Sequence, residues 1–434
     1  MIKNDVLNKG ALYNLFGTGI PLLVGLISIP ILLKSLGNQS FGLLTLIWTA
    51  IGYFGLFDFG LGRALTQQVA SFRSNQNSNI SSLIRTGLIS VLIPGIAGAI
   101  IMYYVSLYYI NELLLIDDGS KKDLIRAFSY AALSIPLVTL SSGLRGILEG
   151  FEDFARSSFL RGLLGVLNFL TPMIIVLLGN NSLFHIVLSL IISRIVMVIL
   201  NAYWVYPYMK TKSITAKKIV IRNLIDLLKF GLWMTVSNIV SPFMVAADRF
   251  IIASILGASL LTYYTVPQDI VIRLLIIPAA IATAWFPRFA KLNTDSDIKK
   301  SKKLATQGYK YIFIILGPLC IFLAIFSNQL LEIWINIEFA KNVGSIAVIL
   351  LVGVFFNALA HIPLASLQAS GKVKTTALLH VVELCLYLPL LFYLVPLAGI
   401  KGAALIWTSR TTLDFVFLFI FDRYKLNDYS KLQP

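Results

Sequence analysis

Charge is what this chain has least of. Only 13% of its 434 residues are charged, while 57% are hydrophobic and the mean hydropathy is +0.83. Soluble domains carry about 25% charged residues, so the deficit excludes a soluble globular protein and points to a polytopic membrane protein. Cysteine is as sparse. Cys320 and Cys385 lie in separate apolar spans, which excludes a disulfide framework or a CxxC metal site, and both read as core filler. There is no GxxxxGK[ST] motif and no soluble segment long enough for a nucleotide domain, so no ATP site, cofactor or metal is expected. A net charge of +16 and a pI near 9.7 would suit a nucleic-acid binder, but such proteins carry a basic face on a soluble domain. None is present here.

What is there is a series of twelve apolar stretches of membrane-crossing length, near 11–34, 41–62, 86–109, 124–148, 158–179, 183–207, 229–255, 260–285, 309–328, 343–368, 375–397 and 400–421. Many contain proline, among them Pro21, Pro94, Pro172, Pro278 and Pro389, so bent helices are expected. The first stretch is too long for a signal-peptide core and reads as a retained helix. Lys and Arg concentrate in alternate connections: Lys3 and Lys9, Arg63 to Arg85, Arg145 to Arg161, Lys210 to Lys229, Arg288 to Lys310, Lys372 with Lys374, and Arg423 to Lys431. The other side holds only Lys34, Lys121, Lys122, Lys341 and Lys401. Positive connections stay inside, so both termini are expected in the cytoplasm. Topology accounts for the basic clusters, and they are assigned no ligand.

The chain repeats in outline at about 220 residues. Leu36-Gly37 closes the first span as Leu256-Gly257 closes the seventh, each before a break of three or four residues. Leu148-Glu149 ends the fourth span as Leu367-Gln368 ends the tenth. Two six-helix halves with the same topology follow, related by an axis along the membrane normal. The expected divisions are 1–209, a basic connector 210–228, 229–423 and a tail 424–434.

Four arginines interrupt the apolar runs: Arg194, Arg249, Arg273 and Arg410. A guanidinium keeps its charge, and one at the bilayer centre costs roughly 2.5–3.5 kcal/mol on insertion scales. Together they imply a hydrated interior that uses them. Arg194 has no acidic residue three or four positions away and is the least neutralised. Arg273 has Asp269 at i−4 and Arg410 has Asp414 at i+4, so those two either line a cavity or form structural pairs. Asp248 and Arg249 are adjacent and diverge by about 100°, so only one of them is expected to face a cavity, and Arg249 could instead snorkel. His380 and Glu383, one turn apart, could share a proton, and His361 in span ten is a further candidate for such a relay. Asp58, at the end of span two, reads as a helix-end or salt-bridge residue or as a gating group. The acids Asp248, Asp269, Glu383 and Asp414 balance the four arginines, so no charge sum implies a cationic lumen.

The segment Gly55-Leu56-Phe57-Asp58-Phe59-Gly60-Leu61-Gly62, followed by Arg63-Ala64, resembles the end of helix two in polysaccharide exporters of the Wzx type. Asp248-Arg249-Phe250-Ile251-Ile252 with Leu256-Gly257 and Tyr263-Tyr264, and Trp285-Phe286-Pro287 before a basic loop, resemble that family's helices seven and eight. The resemblance implies an all-α fold of twelve transmembrane helices in two six-helix bundles, MATE-like and V-shaped, that works by alternating access in the inner membrane. It implies a lipid-linked oligosaccharide as substrate, for O-antigen or capsule, with membrane lipids and possible polymerase and chain-length partners. Arginine forks match the phosphate and carboxylate oxygens of such a head group. A cation-coupled multidrug exporter of the same superfamily is the rival, but its familiar bacterial forms carry an acid in the first span, and Ala11 to Leu33 has none. A glycosyltransferase or polymerase would need a long outer loop, and Asn111 to Asp123 and Gln329 to Asn342 are too short.

Overall fold

The computed structural model describes residues 2–58, 60–74, 80–116, 118–209, 243–244, 246–294 and 298–431, and these are helical almost throughout. The connector 210–228 and the first half of span seven lie outside the described residues. The helices are α1 (Ile2–Phe54), α2 (Leu61–Ser74), α3 (Ile80–Tyr108), α4 (Asp118–Ala132), α5 (Ser134–Gly150), α6 (Phe154–Leu177) and α7 (Leu183–Met209). Then come α8 (246–256), α9 (Ala258–Val271), α10 (Ile276–Thr294), α11 (Ile298–Ile325), α12 (Ser327–Trp334), α13 (Ile337–Ala369) and α14 (Val373–Lys431). Runs of Leu, Ile and Val cannot offer their backbone to water inside a bilayer, so every N–H and C=O must be paired within the segment, and helix is the solution.

Nine described segments are long and apolar enough to cross a membrane. Their outward faces carry Ile93, Tyr104, Leu177, Ile199, Phe392 and Leu397, all exposed, as a surface in contact with lipid requires. This is a multi-pass membrane protein.

The chain divides into two compact units, Met1–Leu232 and Trp233–Pro434. In the first, Leu65, Val69, Ile84, Ile147, Leu148, Leu160 and Met197 form a buried core. α2 and α5 meet there through glycine: a Cβ on Gly146 would stand 2.4 Å from the Gly62 carbonyl oxygen. In the second, Phe289, Ile312, Leu316, Ala358 and Ile362 are buried beneath an aromatic layer of Trp285, Tyr309 and Phe415.

The breaks expected after Leu36 and Leu256 are one residue wide. Gly37 (φ 72, ψ 170) divides α1, and Gly257 (φ 85, ψ 162) separates α8 from α9. Both occupy a region of backbone space that a side chain all but forbids. One glycine there redirects the chain, and no loop is needed. Gly399 (φ 60, ψ −148) breaks α14 in the same way. Gly37 and Gly257, 220 residues apart, thus share one backbone conformation. Elsewhere the breaks come from proline or from a cap. Pro136 has no N–H to give the Ala132 carbonyl, so α4 yields to α5 at Leu133. α6 starts where the Asp153 carboxylate accepts the Arg156 N–H.

Candidate functional site

In the first unit the polar centre is Arg194 of α7, 5% exposed. Its Nη1 donates to the Leu190 carbonyl one turn back (3.1 Å), and its Nη2 donates to Oδ1 of Asn168 on α6 (3.2 Å). Its Nε has no partner. Among the described residues Arg194 forms no ion pair. A fixed positive charge is therefore held in a buried place by neutral oxygens alone. Ser193, beside it, donates to the Ser189 carbonyl at 2.8 Å.

Asp58 belongs to a different part of this unit. Its Oδ1 accepts the Gly60 N–H (3.0 Å) and its Oδ2 accepts the hydroxyl of Ser142 on α5 (2.9 Å). The carboxylate thus closes the turn before α2 and ties it to α5.

The second unit holds a longer network. Asp248 on α8 is fully buried, and its Oδ2 accepts from Tyr264 Oη (2.7 Å), Gln268 Nε2 (3.3 Å) and Tyr387 Oη (3.4 Å). The next residue, Arg249, donates to Gln268 Oε1 (3.1 Å) and pairs with Asp269. The expected divergence of Asp248 and Arg249 does not separate them: both turn to α9, where the two ends of one amide serve the anion and the cation. Arg249 is 8% exposed and held in this pair, so it does not snorkel.

Asp269 is thereby committed to Arg249 and not to Arg273. Arg273 sits in the tight turn Ile272–Leu275, where the helical register shifts, and it is exposed with no ion pair among the described residues. Arg410 likewise faces Glu383 across α14 (Nη1 to Oε2, 3.8 Å) instead of Asp414, and it lies over the Tyr387 ring at 5.4 Å. Asp414 faces His380, Oδ1 to Nε2 at 3.8 Å. The fold at Gly399 brings the two halves of α14 together, and tertiary partners replace the i+4 ones. His361 is partly buried, its Nδ1 2.9 Å from the Asn357 carbonyl.

Four residues of these networks had no assigned role in the sequence: Asn168, Tyr264, Gln268 and Tyr387. Two signals were present. His380, Glu383 and Tyr387 recur at helical spacing on one face, and Tyr264 and Gln268 do the same at i and i+4. Asn168 was a single amide in an apolar run.

Residues 7–293 match the family described as polysaccharide biosynthesis protein. A putative O-antigen transporter of Shigella flexneri is 35% identical over 94% of this chain and 96% of its own length. A putative O-antigen export protein of Yersinia pseudotuberculosis is 26% identical over 70% of each. Among solved structures, the inward-facing form of a multidrug resistance MATE family transporter of the MOP superfamily superposes with a TM-score of 0.76 at 16% identity, covering 97% of this chain and all of that one. A MOP superfamily transporter from Pyrococcus furiosus, for which a reversed polarity of the binding pocket is described, gives 0.69 at 17% identity over 98% of this chain and 96% of its own. At that identity the likeness is one of fold, and the fold is that of the MATE transporters. With two thirds of its length matched and a relative at 35% identity along nearly all of it, the chain belongs to the polysaccharide biosynthesis protein family.

Proposed function

We propose that this protein is a flippase that carries a lipid-linked oligosaccharide, an O-antigen or capsule repeat unit on a polyprenyl pyrophosphate, from the inner to the outer leaflet of the inner membrane by alternating access. The observation that carries the reading is Arg194: a buried guanidinium bonded, among the described residues, only to the Leu190 carbonyl and the Asn168 amide. Burying a lone charge is costly unless something pairs with it. A passing pyrophosphate or acidic sugar supplies the missing negative charge, and its oxygens fit the guanidinium fork. The transporter and export names of the relatives support the same cargo.

The topology that goes with this reading has twelve crossings. α1 and α14, at 53 and 59 residues, are each far longer than the about 20 residues that span a bilayer. Divided at Gly37 and Gly399, each gives two crossings, and span seven (229–255) completes two six-helix halves at 1–209 and 229–423. The basic connector 210–228, the tail 424–434 and both termini lie in the cytoplasm. Arg249, held by Gln268 and Asp269, serves structure; Arg410 joins Arg194 as an anion contact. Glu383, His380 and His361 are the candidates for coupling and Asp58 for gating. A polysaccharide polymerase and chain-length machinery are the expected partners.

The test is complementation. In a strain lacking its O-antigen flippase but supplied with a matching repeat unit, the protein restores surface polysaccharide and does not lower the accumulation of a fluorescent cationic drug. Drug efflux without restored polysaccharide supports the multidrug exporter and contradicts this reading.

A further inference from the structure

Ligand atoms of metal-binding type converge in α14. His380, Glu383 and Asp414 present one imidazole nitrogen and two carboxylate oxygens, all within 4.8 Å of one another, and they are the one such group of three among the described residues. His380 and Glu383 are each 7% exposed. Among the described residues no N–H or hydroxyl donates to either oxygen of Glu383 or to Oδ1 of Asp414, and Nδ1 of His380 has no partner; the two carboxyl groups face each other. A buried carboxylate that no N–H or hydroxyl serves is costly, and here one of its oxygens lies in a cluster of other ligand atoms. The nearby cation is Arg410, but 3.8 Å between Nη1 and Glu383 Oε2 is too long for a hydrogen bond. Its guanidinium also lies over the ring of Tyr387.

We infer that His380, Glu383 and Asp414 bind a divalent cation of the class that accepts imidazole, such as Zn2+ or Co2+. Mg2+ and Ca2+ build their shells from oxygen and gain nothing from His380. One nitrogen and two carboxylates are three protein ligands, which leaves the further position of a tetrahedral ion open to water. The two carboxylates neutralise the incoming ion, so Glu383 no longer holds Arg410, and the guanidinium becomes free to meet an anion. Cation binding at the cluster and anion binding at Arg410 are then positively linked, each strengthening the other by the same factor. The cation site itself does not depend on the cargo assigned above, so its test and the complementation test fail separately.

The experiment titrates the purified full-length protein, in detergent and free of any polyhistidine tag, with Co2+ and follows its visible absorption. One Co2+ per chain is expected, with the d–d bands of a nitrogen- and oxygen-ligated ion. Zn2+ abolishes the bands and excess Mg2+ does not. Glu383→Gln and His380→Gln each weaken binding by at least about 10-fold, since even groups behind the ligands change metal affinity about 10–100-fold. Arg410→Met removes the competing cation and tightens binding, a readout that stands even where the ligand variants fold poorly. Wild-type protein that shows no bands overturns the assignment, and so do bands that persist unchanged in Glu383→Gln or Asp414→Asn.

Discussion

The side chain of Asn168 on α6 accepts a hydrogen bond from Arg194 on α7, Oδ1 to Nη2 at 3.2 Å. An amide orients a guanidinium without cancelling its charge. Asn168→Asp keeps the shape and places a carboxylate in that contact. The variant is expected at normal abundance, because a buried charge gains a partner, yet with transport at least about 10-fold slower. Hydrogen bonds to charged groups are worth about 1.5–3 kcal/mol, and that attraction would be spent inside the protein. Membrane immunoblots and surface polysaccharide, read together, check this.

Arg249 and Asp269 have the opposite role. Asp269→Ala takes a carboxylate from a buried guanidinium that Gln268 still holds. The loss is smaller than the about 3–5 kcal/mol of a fully buried pair, because Asp269 is itself 35% exposed, but it lowers the melting temperature measurably in detergent. Arg249→Met combined with Asp269→Leu recovers part of the loss, since the guanidinium that Asp269 matched goes with it and the buried Asp248 keeps its bonds from Tyr264, Gln268 and Tyr387. A double variant no more stable than Asp269→Ala contradicts a structural role for the pair.

Gly37 and Gly257 test the backbone account. A Cβ at either meets nothing within 4 Å, so any cost of Ala is conformational, about 1–3 kcal/mol for a residue held in so sparse a region. Gly52 likewise has open space around its Cβ position but lies in regular helix. Gly52→Ala is expected to be neutral or slightly stabilising. Thermal unfolding of the three variants separates strain from crowding.

Crowding has its own site. Gly146→Ala drives a methyl to 2.4 Å from the Gly62 carbonyl and 3.0 Å from Thr66 Oγ1, so α2 must leave α5. Protease sensitivity between residues 60 and 74 is expected to rise, with α6 and α7 still protected.

The sequence made the helices and the membrane legible, because apolar runs survive without any knowledge of packing. The site was legible only in part. Arg194 stood out because nothing acidic lies within a turn of it, and the fold leaves it among neutral oxygens. Spacing of i and i+4 left Arg273 with Asp269 and Arg410 with Asp414 open as pairs or as cavity residues, and such spacing is local. Asp269 belongs to Arg249 on α8, and Glu383 to Arg410 through the fold at Gly399. Those partners lie on other helical segments, and no periodicity along one helix encodes them. Gln268 escaped notice for the same reason: an amide becomes informative only once a carboxylate and a guanidinium arrive at its two ends.

The central claim is that Arg194 meets the anionic head group. Its most direct measurement is flipping of a lipid-linked oligosaccharide by purified protein in liposomes, with wild type, Arg194→Lys and Arg194→Ala compared at equal reconstitution. The account predicts at least about a 10-fold loss for Ala, as expected when one charged contact is removed, and partial activity for Lys, which keeps the charge but not the fork. Wild-type rates in Arg194→Ala would contradict it.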